Sequence, residues 1–293
     1  MRGRIVPNVF LVGAPKCGTT TLYELLEPHP EVYCPIDKEI DYFGEDIPRP
    51  GPRLTYDAYL ERFARGDGYR RVVDGTTSYL SSERAPHEIL ERSPEARILV
   101  MLRDPVQVAQ ALHGQRLVLG REDDPDFVAV MEAEAGGRRR RGVWSPPYRE
   151  KVRFGEQLAR YVNVFGEDRT HVIFLDDLRA NPAETYRKVL RFLAIDTTHR
   201  PRLVTANRAK RVRRPRVAAL VRKPPGVISR LVRKLPRWQY RAVNRALEHL
   251  WADHAPRPEL PFALRASLTA ELVPDIELLE RLTGRDLSRW KEP

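Results

Sequence analysis

The chain has 293 residues, 42% of them apolar, with 51 basic side chains against 40 acidic ones and a net charge of +11. That length and composition give a globular chain able to bury a substantial core, and exclude a disordered or fibrous one. Two cysteines exclude a disulfide framework and a structural zinc site built from thiolates alone; no apolar run reaches the roughly 18 residues of a membrane span. Only eight of the basic residues are lysines, so the charge is mostly arginine. It suits an anionic cosubstrate, an anionic acceptor or an anionic surface. Free thiols point to a reducing compartment, and the basic start MRGRIVPNVF runs into the first strand without the pattern of a signal peptide, so a cytoplasmic location is expected.

Residues 9–12, Val-Phe-Leu-Val, read as a buried parallel strand. A tight turn over 13–20 follows, then a helical pattern carrying Leu22, Leu25 and Leu26 on one side. A strand, a glycine-bounded loop and a helix N-terminus make an anion cradle, because backbone N–H groups and the helix dipole both face the ligand. Lys16, Gly18, Thr19 and Thr20 suit a phosphate there. The spacing is not that of the standard nucleotide loop, which places lysine directly after the second glycine. Here Thr19 follows Gly18, and Lys16 precedes it by two. Cys17, with no histidine nearby in sequence, reads as a small filler rather than a nucleophile.

Further along, 31–33 is a short strand, 35–43 a loop with an aromatic end, and 44–55 a surface loop rich in Pro and Gly. A short helix is expected over 56–64, a strand over 71–74 with its exit at 75–79, and a helix over 82–92. The most strand-like run is 97–102; Arg103-Asp104-Pro105 closes it, and Pro105 starts the next helix. Helices over 126–135 and 147–165 flank an arginine run, 138–141, which reads as a solvated loop or as a contact for an anionic acceptor. A strand over 171–175 ends at Asp176-Asp177, before a helix over 182–193. The alternation predicts an α/β fold, a P-loop-like parallel sheet flanked by helices in a single domain, with ligands at the strand C-terminal ends. The core is expected over 5–200. A basic flap and C-terminal helices, with helix patterns at 238–251 and 264–283, would fill 201–293. Within 207–247 there are 14 basic residues and no acidic one.

The loop Pro15-Lys16-Cys17-Gly18-Thr19-Thr20 resembles the donor-phosphate loop of the sulfotransferases that use PAPS, 3′-phosphoadenosine 5′-phosphosulfate. Three further elements fall in the order seen in heparan-type and bacterial members: Lys38-Glu39 before Phe43, Ser78-Tyr79 at a strand exit, and Arg103-Asp104-Pro105 after a strand. The end, from Pro274-Asp275 to Trp290, is also similar to bacterial members. The resemblance implies transfer of a sulfuryl group from PAPS to a hydroxyl or amine of a carbohydrate or other small acceptor, releasing PAP, with no metal. It implies that Lys16 neutralises charge on the bridging oxygen, that Gly18, Thr19, Thr20 and Thr21 hold the 5′-phosphate, and that Pro15 and Cys17 belong with them to the cofactor-binding loop. Glu39 would be the general base and Arg103 the 3′-phosphate ligand.

Three departures stand out. A serine usual eight residues after that arginine is Ala111, an arginine usual five after it is Val108, and a lysine that heparan-type enzymes carry before S-x-Y falls at Gly75. Asn207 and Arg208, with Arg211 or Arg213, are the candidates to compensate, on a flap closing over the donor. If the base is instead a histidine, His113 and His87 are the candidates. Two other functions compete. A P-loop kinase would use Asp176-Asp177 for Mg²⁺, but its loop needs lysine where Thr19 stands. A non-catalytic basic module would bind through 207–247. The segment lacks interleaved aromatics before Trp238 and Tyr240, which argues against nucleic acid and leaves an anionic membrane surface as its candidate partner. The scattered histidines, including His249 and His254, make no metal-ligand pattern.

Overall fold

A computed structural model describes residues 4–49, 51–119, 121–137, 147–200 and 259–293, together with the backbone of 211–212 and 252–253. Five strands, β1 (Val9–Gly13), β2 (Val32–Tyr33), β3 (Arg71–Asp74), β4 (Arg97–Leu102) and β5 (Thr170–Phe174), form one parallel sheet in the order β2-β3-β1-β4-β5. Every residue of β1 is buried, and so are 98–102 of β4, as expected of strands covered on both faces. The chain leaves β1 towards β3 on one side and later returns to β4 on the other. Strand order therefore switches at β1, the place where open α/β sheets bind ligands beyond the strand ends.

Ten α-helices of four or more residues stand among the described residues. α1 (Thr19–Leu26) follows β1; α2 (Tyr56–Leu60) tightens into a 3₁₀ turn at Glu61–Gly66; α3 is Ala85–Arg92 and α4 Pro105–Val118. The expected helix over 147–165 is two, α6 (Tyr148–Lys151) and α7 (Phe154–Phe165), after α5 (Phe127–Ala135). A short α8 (Leu175–Ala180) was not foreseen: β5 ends at Phe174, and Asp176-Asp177 form the first turn of that helix, where acidic side chains suit the dipole. α9 (Pro182–Leu193) starts on Pro182 with Asn181 as its cap, and buries Tyr186, Val189, Leu190 and Leu193 at helical spacing. With the last long helix, here α10 (Phe262–Thr283), these elements make a single-domain α/β fold.

Contacts within that fold fall into two units. The larger holds Met1–Val108, Arg141–Ala206 and Arg265–Pro293; the smaller holds Ala109–Arg140 and Asn207–Leu264, including a two-residue antiparallel pair, Arg211–Val212 with Ala252–Asp253. The C-terminal helix thus goes with the sheet rather than with the basic segment. The reason lies in Asp275, whose two carboxylate oxygens accept the Gly155 and Glu156 N–H groups at 2.9 Å each and cap α7. Gly155 permits this approach, since a Cβ there would lie 2.3 Å from the Asp275 carbonyl oxygen. Trp290 closes the end edge-on against Phe174, with ring centroids 5.7 Å apart. Among the described residues no helix is long and apolar enough to cross a membrane. The flap and the helix at 238–251 lie outside the described residues, apart from the backbone of Arg211–Val212.

Candidate active site

The donor loop is built by backbone geometry. At its base the Ala14 N–H donates to the Met101 carbonyl at 2.7 Å, which ties the exit of β1 to β4. Lys16 (φ 68°) and Gly18 (φ 89°) are left-handed, and together they turn the chain from strand to helix. Gly18 is required twice over: its φ favours glycine, and a Cβ would meet Leu175 Cδ1 at 2.7 Å. As the N-cap of α1 it has no side chain to cap the first turn. The amides of that turn are therefore not claimed by a capping side chain, which fits them to an anion. Lys16 and Pro15 are half-buried, Thr21 is half-buried and Thr20 exposed. Cys17 is sealed: it is fully buried, its N–H donates to the Ala14 carbonyl, and burial pushes its thiol far above the ordinary range. Cys17 thus packs as the filler expected of it, with its thiol and its N–H both turned to carbonyls of its own loop.

Facing this loop is a second one, residues 35–43, that carries Glu39. Tyr23 of α1 anchors its start by donating its hydroxyl to the Pro35 carbonyl at 2.6 Å. Glu39 itself is left-handed (φ 61°), as is Asp41 (φ 55°). With Lys16, these make three of the four left-handed non-glycine residues described, all in the two loops. Such backbone persists where surroundings over-determine it. The Glu39 N–H donates to the Gly75 carbonyl at 3.0 Å. Its carboxylate accepts the Thr77 N–H at 2.8 Å and the Thr77 hydroxyl at 3.0 Å. The side chain is 42% exposed, so it reaches solvent. Burial of the surrounding loop nevertheless raises its carboxyl above the usual range, against the opposing pull of Lys38 and Thr77.

The support of this second loop is a buried carboxylate that sequence reasoning did not single out. Asp74, fully buried at the end of β3, accepts the hydroxyls of Thr76 (2.6 Å), Tyr59 (2.9 Å) and Tyr79 (3.2 Å). Those hydroxyls face the other way as acceptors: Thr76 takes the Ile40 N–H at 3.2 Å, and Tyr79 takes the N–H groups of Tyr42 (2.9 Å) and Phe43 (3.3 Å). Three backbone amides of the base loop are thus held, through two hydroxyls, on one carboxylate. Burial pushes Asp74 up to about 6, opposed by its hydroxyl donors. The available signal was an ionisable residue closing an apolar strand. Ser78, the S of S-x-Y, also serves this loop, donating to Asp41 at 2.6 Å.

Lys38 joins the two loops. Its ammonium donates to the Thr19 hydroxyl at 3.0 Å and the Thr20 hydroxyl at 3.3 Å, and lies 3.8 Å from Glu39. Position 75, where the resemblance expects a lysine, is bare. A Cβ there would meet the Tyr23 ring at 2.8 Å and Lys38 Cε at 3.3 Å, so the stem of Lys38 fills that space.

At the end of β4, Arg103 is half-buried and turned onto Gln107, whose side-chain oxygen accepts Nε at 3.1 Å and Nη2 at 2.5 Å. Asp104 caps α4 through the Val106 and Gln107 N–H groups and takes an ion pair from Arg265 at 3.1 Å. Burial, and then the charge of Arg179, lower the pKa of Arg103. Arg179, on α8, is a second guanidinium at this edge that the motifs did not flag. Val108 is fully buried, so no arginine contact is available from that position, and Ala111 is buried as well. The aspartates that imitated a Mg²⁺ ligand carry ion pairs instead, Asp176 with Arg179 at 3.4 Å and Asp177 with Arg285 at 2.7 Å. His113 donates its Nε2–H to the Asp124 carbonyl at 2.9 Å, within the smaller unit. Asn207, Arg208 and Arg213 lie outside the described residues, and only the backbone of Arg211 is described.

The sheet's C-terminal edge thus brings together an anion cradle, a lysine bridge, a carboxylate and a strand-end arginine. Comparison with known proteins places this arrangement. The family model for the sulfotransferase domain matches residues 6–212, and the chain belongs to that family. A sulfotransferase from Alicyclobacillus acidocaldarius is similar over 98% of this chain and 100% of its own, with a TM-score of 0.72 and 26% identity. Carbohydrate sulfotransferase 15 of Rattus norvegicus is 26% identical over 87% of this chain and 55% of its own length. Human heparan sulfate glucosamine 3-O-sulfotransferase 6 is 30% identical over 39% of this chain and 32% of its own. The chain therefore spans about half the length of the first of these curated relatives or less.

Proposed function

We propose that the protein transfers a sulfuryl group from PAPS to a hydroxyl or amine of a glycan or a related small acceptor. The observation that carries this reading is the convergence of the uncapped α1 N-terminus and the Glu39 carboxylate on either side of one ammonium, that of Lys38. Sulfuryl transfer asks a protein chiefly for alignment and charge stabilisation, as phosphoryl transfer does. Lys16 and the first-turn amides of α1 hold the 5′-phosphate and the charge that grows on its bridging oxygen. Glu39, its carboxyl raised by burial, takes the acceptor's proton. Arg103 exchanges Gln107 for the 3′-phosphate, with paired N–H groups suited to it. Glycan acceptors are favoured by the names of the curated relatives.

The test is PAP release from PAPS with a panel of acceptors: de-sulfated heparan sulfate, simple amino sugars and a phenol. Release that depends on a glycan acceptor and persists in chelator supports the reading, and release only with the phenol moves the acceptor class. PAP should also raise the melting temperature, and 5′-AMP should bind about 10–100-fold more weakly for want of one charge-assisted contact. Equal affinity for PAP and AMP removes the role of Arg103.

A further inference from the structure

We infer that Lys38 is a second catalytic lysine, its ammonium contacting the sulfuryl oxygens as the group passes from the donor loop to the acceptor. The inference rests on the sulfotransferase reading of the site and goes beyond the roles which that reading assigns to Lys16 and Glu39. Its basis is where the charge sits. The Lys38 side chain is only 15% exposed, although it belongs to a surface loop. Two of its three N–H donors are spent on Thr19 and Thr20, the first residues of the donor helix. The third finds no protein acceptor within hydrogen-bonding distance among the described residues, since Glu39 at 3.8 Å is an ion-pair contact. A partly buried ammonium with a spare donor is costly unless something anionic visits it. Burial indeed lowers its pKa, against the opposing carboxylates Glu39 and Glu24.

The surroundings keep that ammonium in place. Its stem runs past bare Gly75, with the Tyr23 ring 5.9 Å from the nitrogen. Any side chain at 75 would press on Tyr23 and on Lys38 Cε. Tyr23 in turn holds the start of the base loop at Pro35. Neutral hydroxyls alone need no cation to order them, whereas a group carrying negative oxygens between Thr19 and Glu39 does. In the transfer, the bond from the acceptor oxygen or nitrogen to sulfur forms as the bond from sulfur to the phosphate oxygen breaks. The electron pair of the broken bond stays on PAP, and the acceptor's proton goes to Glu39. Lys38 keeps its own proton and neutralises the sulfuryl oxygens midway, where preorganised charge is worth most.

Lys38→Met in the full chain keeps the stem and removes the charge. Turnover, measured as PAP release from PAPS with the glycan acceptor, should fall by about 10²-fold or more. PAP, which has no sulfuryl group, should bind within about threefold of the unaltered protein, because the resting hydrogen bonds lost with the ammonium go to the Thr19 and Thr20 hydroxyls and not to PAP. Glu39 faces Lys38, Asp41 and the buried Asp74. Without the one cation its carboxyl rises further, so the acid limb of the rate profile moves to higher pH. Lys38→Arg should recover part of the rate. A chemical restoration is also open, since Cys17 and Cys34 are both buried. In Lys38→Cys, bromoethylamine should react at residue 38 and return an ammonium and most of the activity; should Lys38→Met fail to fold, this pair of measurements carries the test. Turnover within about threefold of normal in Lys38→Met, equal losses of turnover and PAP affinity, or alkylation that restores nothing would each overturn the proposal. If the unaltered protein releases no PAP with any acceptor, the sulfotransferase reading itself falls and takes this one with it.

Discussion

The donor loop and the base loop meet at the same sheet edge, but they are held by opposite means. The donor loop is a backbone object: a buried strand, two left-handed residues and an uncapped helix start, with Gly18 wedged against Leu175. The base loop has no regular structure and hangs from side chains, three amides on Thr76 and Tyr79, and both of those on Asp74. A loop made by strand and helix is rigid whatever occupies it. A loop held on one carboxylate depends on the charge and hydrogen bonds of that carboxylate. Binding and turnover should therefore respond differently to changes in the two loops.

Four substitutions sharpen or break that contrast. Lys16→Ala removes charge from the donor side with the backbone intact; turnover should fall by about 10²–10³-fold at unchanged melting temperature, as on losing one preorganised donor. Near-normal turnover would dissolve the donor-loop assignment. Gly18→Ala forces a Cβ into a left-handed residue and into Leu175. PAP affinity should drop by about tenfold or more, with roughly 1–3 kcal/mol of stability lost to strain; calorimetry and thermal melts read both. Asp74→Asn should leave PAP binding nearly unchanged while turnover declines by roughly tenfold through a looser Glu39, an effect of about 1–1.5 kcal/mol for a weakened hydrogen-bond network. A parallel loss of PAP affinity would show that the loops are not separable. Gly155→Ala lies away from both loops and should cost about 1–3 kcal/mol by crowding the Asp275 carbonyl, with no change in the turnover of the folded fraction.

Asp74 also sets a pH signature. Its folded pKa, about 6, stands above the ordinary carboxyl value of 3.8. A raised carboxyl stabilises the fold fully below the unfolded value, and that contribution is lost as pH rises through the folded one. Between about pH 4 and pH 6 the unaltered protein should therefore lose roughly 3 kcal/mol from this group, a decline absent from Asp74→Asn in denaturant melts. Equal slopes for the two proteins would mean that Asp74 is ionised at no cost.

The contrast also explains what the sequence discloses. Strands β1, β3, β4 and β5 are apolar runs with clear ends, and the donor loop sits at the first of them, so backbone-built features are legible from local pattern. Pro105 and Pro182 mark helix starts for the same local reason. Lys38 acts on Thr19 and Thr20, 19 and 18 residues away, Asp74 gathers Tyr59 of α2 as well as Thr76 and Tyr79 beyond its own strand, and Arg179 bears on Arg103 from another element; no local period reports them. The expected strand over 171–175 is present as β5, but its end falls at Phe174 and Asp176-Asp177 belong to α8, because an acidic pair after an apolar run fits a strand end and a helix first turn equally well. The split of 147–165 into α6 and α7 follows from Asp275, a cap supplied from more than a hundred residues away.

Glu39 is the group to which the sulfotransferase reading gives the acceptor's proton, with no part in donor binding. Glu39→Gln keeps the shape and the Thr77 contacts but cannot take a proton. Measured side by side, PAP affinity should match that of the unaltered protein, while PAP release from PAPS with the glycan acceptor falls by about 10²–10⁴-fold. Retained turnover in Glu39→Gln, with loss on changing His113 or His87 instead, would contradict it.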